Sequence, residues 1–480
     1  MDLSFLSTYL PDWPVWATTS FAGLSIVSLL ILAIQTLYDR SRKNTIEDKS
    51  TKDEIAPSSF AIDSSSEQRK RFRRFQREYL AVYLIIMLAD WLQGTNMYTL
   101  YTSYGVNVST LFLTGFLSSA VFGTFLGLFV DRFGRRAGCL LFCVLELVIN
   151  WFEHYPSMPL LLAGRVMGGL STSLLFSAFE TWMVCEHRKR GYPEAWLAGT
   201  FSLASVGNGL IAILAGVVAQ VAADRLGDIG PFQAAIALTG LALTLIVRWP
   251  ENHGGEAGTA AAAEGGGQVN LLGQFRDAWA CLRGDPRVTY LGLSQAFFEG
   301  GMYTFVFMWV PTMLKLVPDG NLPTGLVFSS FMVCITIGGQ LFGSALRAVP
   351  VGVAAAGVYA AAAAAMAVPA LCPAALAPVF AAFLVVEMCV GAFFVCGGTL
   401  RSQIFPDALQ SSIMSVFRLP LNLLVVVGTK LADAAAPRVV FLTTASWFAA
   451  ALALQLLLLA ARRPPPHVPG GGAAGKQKAL

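Results

Sequence analysis

The sequence predicts an all-α integral membrane protein, built as two six-helix halves with one extra transmembrane helix at the N-terminus. Three observations predict it. The 480 residues are 55% hydrophobic and only 13% charged, with a mean hydropathy of +0.61, outside the range of ordinary soluble domains. Apolar stretches long enough to cross a bilayer, about 20 residues each, recur thirteen times. One long polar interruption, residues 249–286, divides the last six of them from the rest.

The first stretch, 15–38, has no charge and is followed, not preceded, by its basic flank "DRSRK". That order marks a retained anchor with its N-terminus outside, rather than a cleaved signal peptide. Six stretches follow at 79–101, 107–130, 138–153, 159–184, 197–222 and 229–248, and six more at 288–311, 323–346, 350–371, 376–399, 410–432 and 438–461. Orientation comes from the 33 lysines and arginines, because cytosolic flanks retain positive charge. With the loop "DRFGRR" inside, only Arg225, Lys315, Lys430 and Arg438 fall outside and only Arg165 and Arg418 within spans.

The organisation expected is therefore an extra segment over 1–38, a cytosolic basic linker over 39–77 and an N-terminal half over 78–248. A cytosolic central linker over 249–286, a C-terminal half over 287–462 and a disordered cytosolic tail over 463–480 complete it. The basic run "RKRFRRFQR" reads as a solvated flank against anionic lipid, with a specific phosphoinositide site as the sharper alternative. "GGEAGTAAAAEGGGQ" lacks the apolar content for a core, and the proline- and glycine-rich tail reads as disordered.

The eight cysteines form no CxxC pair and lie mostly in spans, so they read as small apolar packing residues. The four histidines fall at span ends or in loops. No nucleotide-binding glycine loop, nucleophile elbow or zinc pattern is present. An enzyme, a metal site and a cofactor are not expected, and neither is a nucleic-acid partner. The lipid bilayer is the expected surrounding, probed by a chain acting as a monomer.

Seven charged residues fall inside spans: Asp90, Glu146, Arg165, Glu180, Glu299, Glu387 and Arg418. Facing lipid, each would cost about 3 kcal/mol, on the order of 20 kcal/mol together, so they must line a cavity or pair. Helical spacing sorts them. Asp90, Gly94, Met97 and Tyr101 share a face with Gln93 at its edge. Gln295, Glu299 and Tyr303 form a second stripe, and Ser411, Ser415, Arg418, Asn422 and Thr429 a third. Pro420 in that third helix leaves the Val416 carbonyl without its helical donor. Asp90, Glu299, Glu387 and Arg418 lie near mid-span, where transporter sites sit.

Arg165 and Glu180 share one span yet stand roughly 22 Å apart along the axis, so they are not partners. For Arg165 the two readings are a substrate or coupling residue and a brace paired with Glu146 or Glu153. Glu180, near the basic loops, reads as part of a cytosolic gate or of a structural ion network. Arg418 beside Asn422 and Ser415 suits an oxyanion, since a planar guanidinium donates two parallel hydrogen bonds; the alternative is a pair with Glu387 or Glu299. Five carboxylates against two arginines in the spans weigh towards a proton or cation.

The loop "GLFVDRFGRRAGCL" (127–140) holds Asp131, Arg132, Gly134, Arg135 and Arg136 in a tight turn, with Asp131 expected to cap the next helix. Its G-x-x-x-D-R-x-G-R-R spacing resembles the loop between helices two and three of the major facilitator superfamily. "YPEAW" and "FPDAL", and "MYT" at 97 and 302, are short echoes between the halves, as expected of a duplicated six-helix unit. "RVMGG" resembles the fourth-helix pattern of many major facilitators, whose arginine faces the central cavity. "YLAVYLIIMLADWLQG", "AGRVMGGLSTSLLFSAFETW", "SQAFFEGGMYTFVFMWVPTML", "GLVFSSFM" and "FRLPLN" resemble segments of the eukaryotic molybdate-anion transporter family, from about residue 79 to 430. The resemblance implies a major facilitator fold and uptake of molybdate, a tetrahedral dianion, across the plasma membrane. On that reading Arg418, Arg165, Asn422, Ser415, Tyr303 and Gln93 bind the anion. Asp90, Glu299 and Glu387 carry protons, and Asp131, Arg132, Gly134, Arg135, Arg136 and Glu180 form the cytosolic gate. A proton-coupled carrier of a sugar, peptide or other small solute, and a non-transporting nutrient sensor, are the alternatives.

Overall fold

In hydrocarbon no water satisfies backbone N–H and C=O groups, so a spanning segment outside a closed barrel must be helical, and helices are what these apolar runs form. The structure, a computed structural model, describes residues 13–47, 59–252, 271–406 and 409–461. Each of the thirteen expected spans carries a helix. The extra one is α1 (Val15–Glu47), and the N-terminal half comprises α2 (Ser59–Ser103), α3 (Val108–Phe133), α4 (Arg135–Phe152), α5 (Met158–Lys189), α6 (Glu194–Leu226) and α7 (Gly230–Ile246). A short helix, α8 (Leu271–Gly284), leads into α9 (Pro286–Leu316), α10 (Thr324–Ala345), α11 (Val351–Leu371), α12 (Leu376–Ile404), α13 (Gln410–Ala434) and α14 (Pro437–Ala460). Among the described residues, nine helices are long and apolar enough to cross a bilayer.

Both expected linkers carry helix. Within 39–77, α1 continues to Glu47 and α2 begins at Ser59, so much of the basic segment is helix. The charge run hides an apolar stripe: Phe72, Phe75 and Tyr79 recur at helical spacing and are buried, against a ring cluster that includes Tyr192 and Trp196. Within 249–286, α8 is ordered and Trp249 stacks on Trp182 at 3.8 Å. The low-complexity stretch and the tail from 462 onward lie outside the described residues.

The duplication suggested by short echoes is visible in the packing. Within the first half α3 packs on α5, α4 on α5, α4 on α7, α2 on α6 and α2 on α7. Within the second, α10 packs on α12, α11 on α12, α11 on α14, α9 on α13 and α9 on α14, the same five pairings one half later. "YPEAW" and "FPDAL" then precede the equivalent helices α6 and α13, and the two "MYT" segments sit in the equivalent α2 and α9.

The halves meet along α6 with α10 and α3 with α13, again an equivalent pair. Gly216 and Gly325 bring α6 and α10 to backbone contact, where a Cβ on either would strike the other's carbonyl oxygen. Gln220 accepts from the Gly325 N–H at 3.0 Å and Ser329 donates to the Ile213 carbonyl at 2.8 Å. Helix α1 lies against α10, with Gln35 donating to Ser344 at 2.8 Å, and reaches α12, where Trp16 stands edge-on to Phe380 at 5.2 Å.

Candidate functional site: a central cavity between the halves

The polar stripes of α2, α9 and α13 face one another across a cavity of about 820 Å³. The first half lines it with Asp90 and Gln93 of α2, Glu146 of α4 and Arg165 of α5; the second contributes Gln295, Glu299 and Tyr303 of α9 and Arg418 and Asn422 of α13. Of the expected anion ligands, Arg418, Arg165, Asn422, Tyr303 and Gln93 are thus brought together, and so are Asp90 and Glu299. Helical periodicity alone placed these residues on common faces, because a lipid-embedded helix has only its inner face for polar groups.

One end of the cavity is sealed. Phe116 meets Tyr303 at 5.2 Å and Phe112 meets Phe307 at 5.3 Å, aromatic contacts between the two halves. Beyond them Ser109 at the start of α3 donates to Asp433 at the end of α13. The opposite, basic end carries Arg135, Arg136, Arg188 and Arg283 at helix ends. Thr172 and Phe176, midway along α5, also line the cavity and are exposed within it.

Two buried carboxylates organise the first half. Glu146 accepts from Ser171 Oγ at 2.5 Å and from Gln93 Nε2 at 2.8 Å, so Gln93 is held by a neighbour as well as facing the cavity. Arg165 pairs instead with Glu153, whose Oε1 also accepts from the Tyr101 hydroxyl at 2.9 Å. The Tyr101 ring lies 5.7 Å from the guanidinium carbon, which takes Tyr101 off the cavity face it was expected to share. Arg165 is not saturated by this: Nη1 reaches the Met97 sulfur at 3.3 Å, and Nε is buried without a hydrogen-bond partner among the described residues.

The second half is arranged differently. Arg418 is exposed within the cavity, and among the described residues no carboxylate stands within ion-pair distance of it. Glu299 is within electrostatic reach of both Arg418 and Arg401. Arg401 donates to Gln295 Oε1 at 2.9 Å; it lies just past the expected end of its span, which is why span-counting overlooked it.

Glu387 does not join the site. It is buried in α12 outside the cavity, with Cys334 of α10 in electrostatic reach. Its depth resembles that of Glu299, and depth does not report rotation about the helix axis. Ser415 and Glu180 are also absent from the cavity lining, Glu180 being exposed on the last turns of α5.

At the basic end the turn at Gly134 adopts φ 109°, a backbone that favours glycine. The start of α4 is capped by Glu251, from the far side of the N-terminal half. Its carboxylate accepts from the N–H groups of Arg136 at 2.8 Å and Ala137 at 3.1 Å, stabilised by the positive end of α4. Arg136 Nε stands 3.5 Å from the same carboxylate, and the Arg135 N–H donates to the Asn252 carbonyl at 3.0 Å. The side chains of Asp131 and Arg132 lie outside the described residues. Glu251 was missed because "WPEN" was read as the start of a linker.

Comparison with known proteins places these features in context. Residues 58–393 match a family model described as sugar transporters with twelve transmembrane segments. The molybdate-anion transporter of Xenopus tropicalis is 34% identical over 375 residues, covering 74% of this chain and 78% of the relative. That of Takifugu rubripes is 33% identical over 392 residues, covering 76% and 81% respectively. Among solved structures, the peptide transporter POT in complex with sulfate has a TM-score of 0.62 at 15% identity, covering 81% of this chain and 94% of its own. The nucleoside transporter NupG has a TM-score of 0.61 at 11% identity, covering 81% and 100%. At such identities the solved structures speak to the fold alone.

Proposed function

Because the chain belongs to the molybdate-anion transporter family of the major facilitator superfamily, we propose that it carries molybdate across a membrane by alternating access. It is a membrane transporter and not an enzyme. The observation that supports molybdate is the pair of guanidinium groups, Arg165 from one half and Arg418 from the other, on a single cavity. A tetrahedral dianion bridging them would be held by donors that move with different halves. Rocking the halves then changes access without dissolving the site. Asn422, Tyr303 and Gln93 supply neutral polar groups around the anion. Asp90 and Glu299 carry the protons, because a dianion beside ionised carboxylates is repelled and their protonation removes the repulsion. Glu387, outside the cavity, takes no part in this reading.

The basic end is assigned to the cytosol on the positive-inside rule, so the end closed by the Phe116–Tyr303 and Phe112–Phe307 contacts faces out. The Asp131–Arg136 turn, latched by Glu251, belongs to the cytosolic gate, and the plasma membrane is the assigned location. A cysteine introduced at Ser65 is then inaccessible to an impermeant thiol reagent applied to intact cells. Labelling from outside would invert the topology.

The cavity volume favours a second reading. At roughly 30 Å³ per water, 820 Å³ exceeds the needs of one bare oxyanion and would admit a sugar or peptide with proton coupling. Flux of radiolabelled molybdate into proteoliposomes separates the readings. Saturable uptake that tungstate and sulfate compete for, and uncharged sugars do not, is the expected result. Flux no greater than in empty liposomes overturns the molybdate reading and leaves the organic solute or the sensor.

A further inference from the structure

Away from the cavity, the segment of α2 that precedes the bilayer carries Arg69, Lys70, Arg71, Arg73, Arg74 and Arg77. On a free flank such a run would be a diffuse positive cloud. Here its rotation is set by two buried rings: Phe72 stands 5.3 Å from Tyr192 and 4.9 Å from Trp196, and Phe75 stands 5.9 Å from Tyr192 and 6.2 Å from Trp182. That seating decides which arginines turn towards the connection between α5 and α6. Arg71 and Arg74 do, and with Arg190 they line a separate hollow of about 330 Å³ together with Phe75, Tyr192 and Glu78.

The lining holds three guanidinium groups against one carboxylate. Arg74 Nε contacts Glu78 at 3.0 Å, and Arg190 Nε contacts Glu186 at 3.1 Å while its guanidinium lies over the Phe75 ring at 4.6 Å. Arg71 is exposed, with Glu67 one turn away in electrostatic reach and no ion pair among the described residues. Such a hollow suits a ligand with several acceptor oxygens and more than one negative charge. Its position adds a second constraint. Tyr192 lines it and Trp196 packs beside Tyr192 and Phe72, and tyrosine and tryptophan concentrate at headgroup level in a bilayer.

We propose that the hollow bounded by Arg71, Arg74 and Arg190 binds the phosphorylated headgroup of an inositol phospholipid. The assignment to the cytosolic leaflet rests on the sidedness proposed above; the binding site itself does not depend on the transported substrate. A phosphomonoester brings close to two charges and three acceptor oxygens, whereas the phosphatidylserine headgroup carries one net charge. Occupancy ties the start of α2 to the α5–α6 connection, within one half, and leaves the central cavity clear.

The test uses the full chain in phosphatidylcholine nanodiscs containing either phosphatidylserine or a phosphatidylinositol bisphosphate, with retained lipid counted by native mass spectrometry. The inositol lipid is expected to be retained preferentially, and Arg71→Gln to weaken that retention about tenfold, the loss of one charge-assisted contact. Arg73→Gln removes the same charge from outside the hollow and serves as the control, lowering retention of both lipids alike. Arg71 is exposed, so an unchanged melting temperature of Arg71→Gln shows that the variant is folded. Equal retention of the two lipids, or equal effects of the two substitutions, overturns the site in favour of diffuse attraction. Soluble inositol trisphosphate binding as tightly as the lipid would assign the hollow to a free phosphate ester and overturn the lipid assignment.

Discussion

Arg418→Ala is expected to weaken molybdate binding by about 2 to 4 kcal/mol, the loss of a charge-assisted partner for an anion already stripped of water. Arg418→Lys should lose much of the affinity too, despite keeping the charge, because an ammonium cannot reproduce the planar fork. Protein stability should barely move. Arg418 is exposed in the cavity and, among the described residues, holds no carboxylate in an ion pair, so its removal strands no buried charge. The measurement is equilibrium binding of radiolabelled molybdate alongside thermal melting of the same variants. A variant that loses stability as well as binding points to a bracing role. The partner then to examine is Glu299, which lies in electrostatic reach, and not Glu387. Recovery of molybdate flux by Arg418→Met together with Glu299→Gln would rule out ligation by Arg418.

Arg165 should behave in the opposite way. It is paired with Glu153 in a buried setting, Glu153 being 1% exposed at its side chain. Arg165→Met alone therefore leaves an uncompensated carboxylate and is expected to destabilise the protein by about 3 to 5 kcal/mol. Replacing both partners, Arg165→Met with Glu153→Gln, should restore most of that stability, since removing a whole buried pair can be nearly neutral. Transport is the deciding measurement. If Arg165 is a ligand as well as a brace, as its unpartnered Nε allows, the double variant melts near the parent temperature and still fails to accumulate molybdate. Normal flux in the double variant would reduce Arg165 to a strut between α4 and α5.

The contrast between the two arginines shows what a linear reading could not separate. Both fall within apolar spans, both lie near glycines or hydroxyls, and the sequence is compatible with ligand or ion pair for each. The structure parts them by neighbours: Glu153 pairs with Arg165 and Tyr101 packs on it, whereas Arg418 has Glu299 and Tyr303 in electrostatic reach and, among the described residues, no ion pair. Glu146, the other partner considered for Arg165, is occupied by Ser171 and Gln93. Glu146 and Glu153 lie about two turns apart on one helix, and hydropathy does not fix how that helix is set in height and rotation against α5.

The helical stretches, the two halves and most of the cavity faces of α2 and α9 were determined by the sequence alone. The physical reason is that the bilayer admits few solutions: backbone groups must close into helices, polar side chains must turn away from lipid, and the 3.6-residue period then says which residues share a face. Tertiary structure alone decided that Glu153 takes Arg165, that Glu251 caps α4 from a position 115 residues away from Arg136, and that Glu387 lies outside the cavity. It also decided that Phe72 and Phe75 anchor a basic run that reads as mere flank. Each of these depends on how one helix is rotated and set against another, which packing between distant segments determines and local periodicity does not.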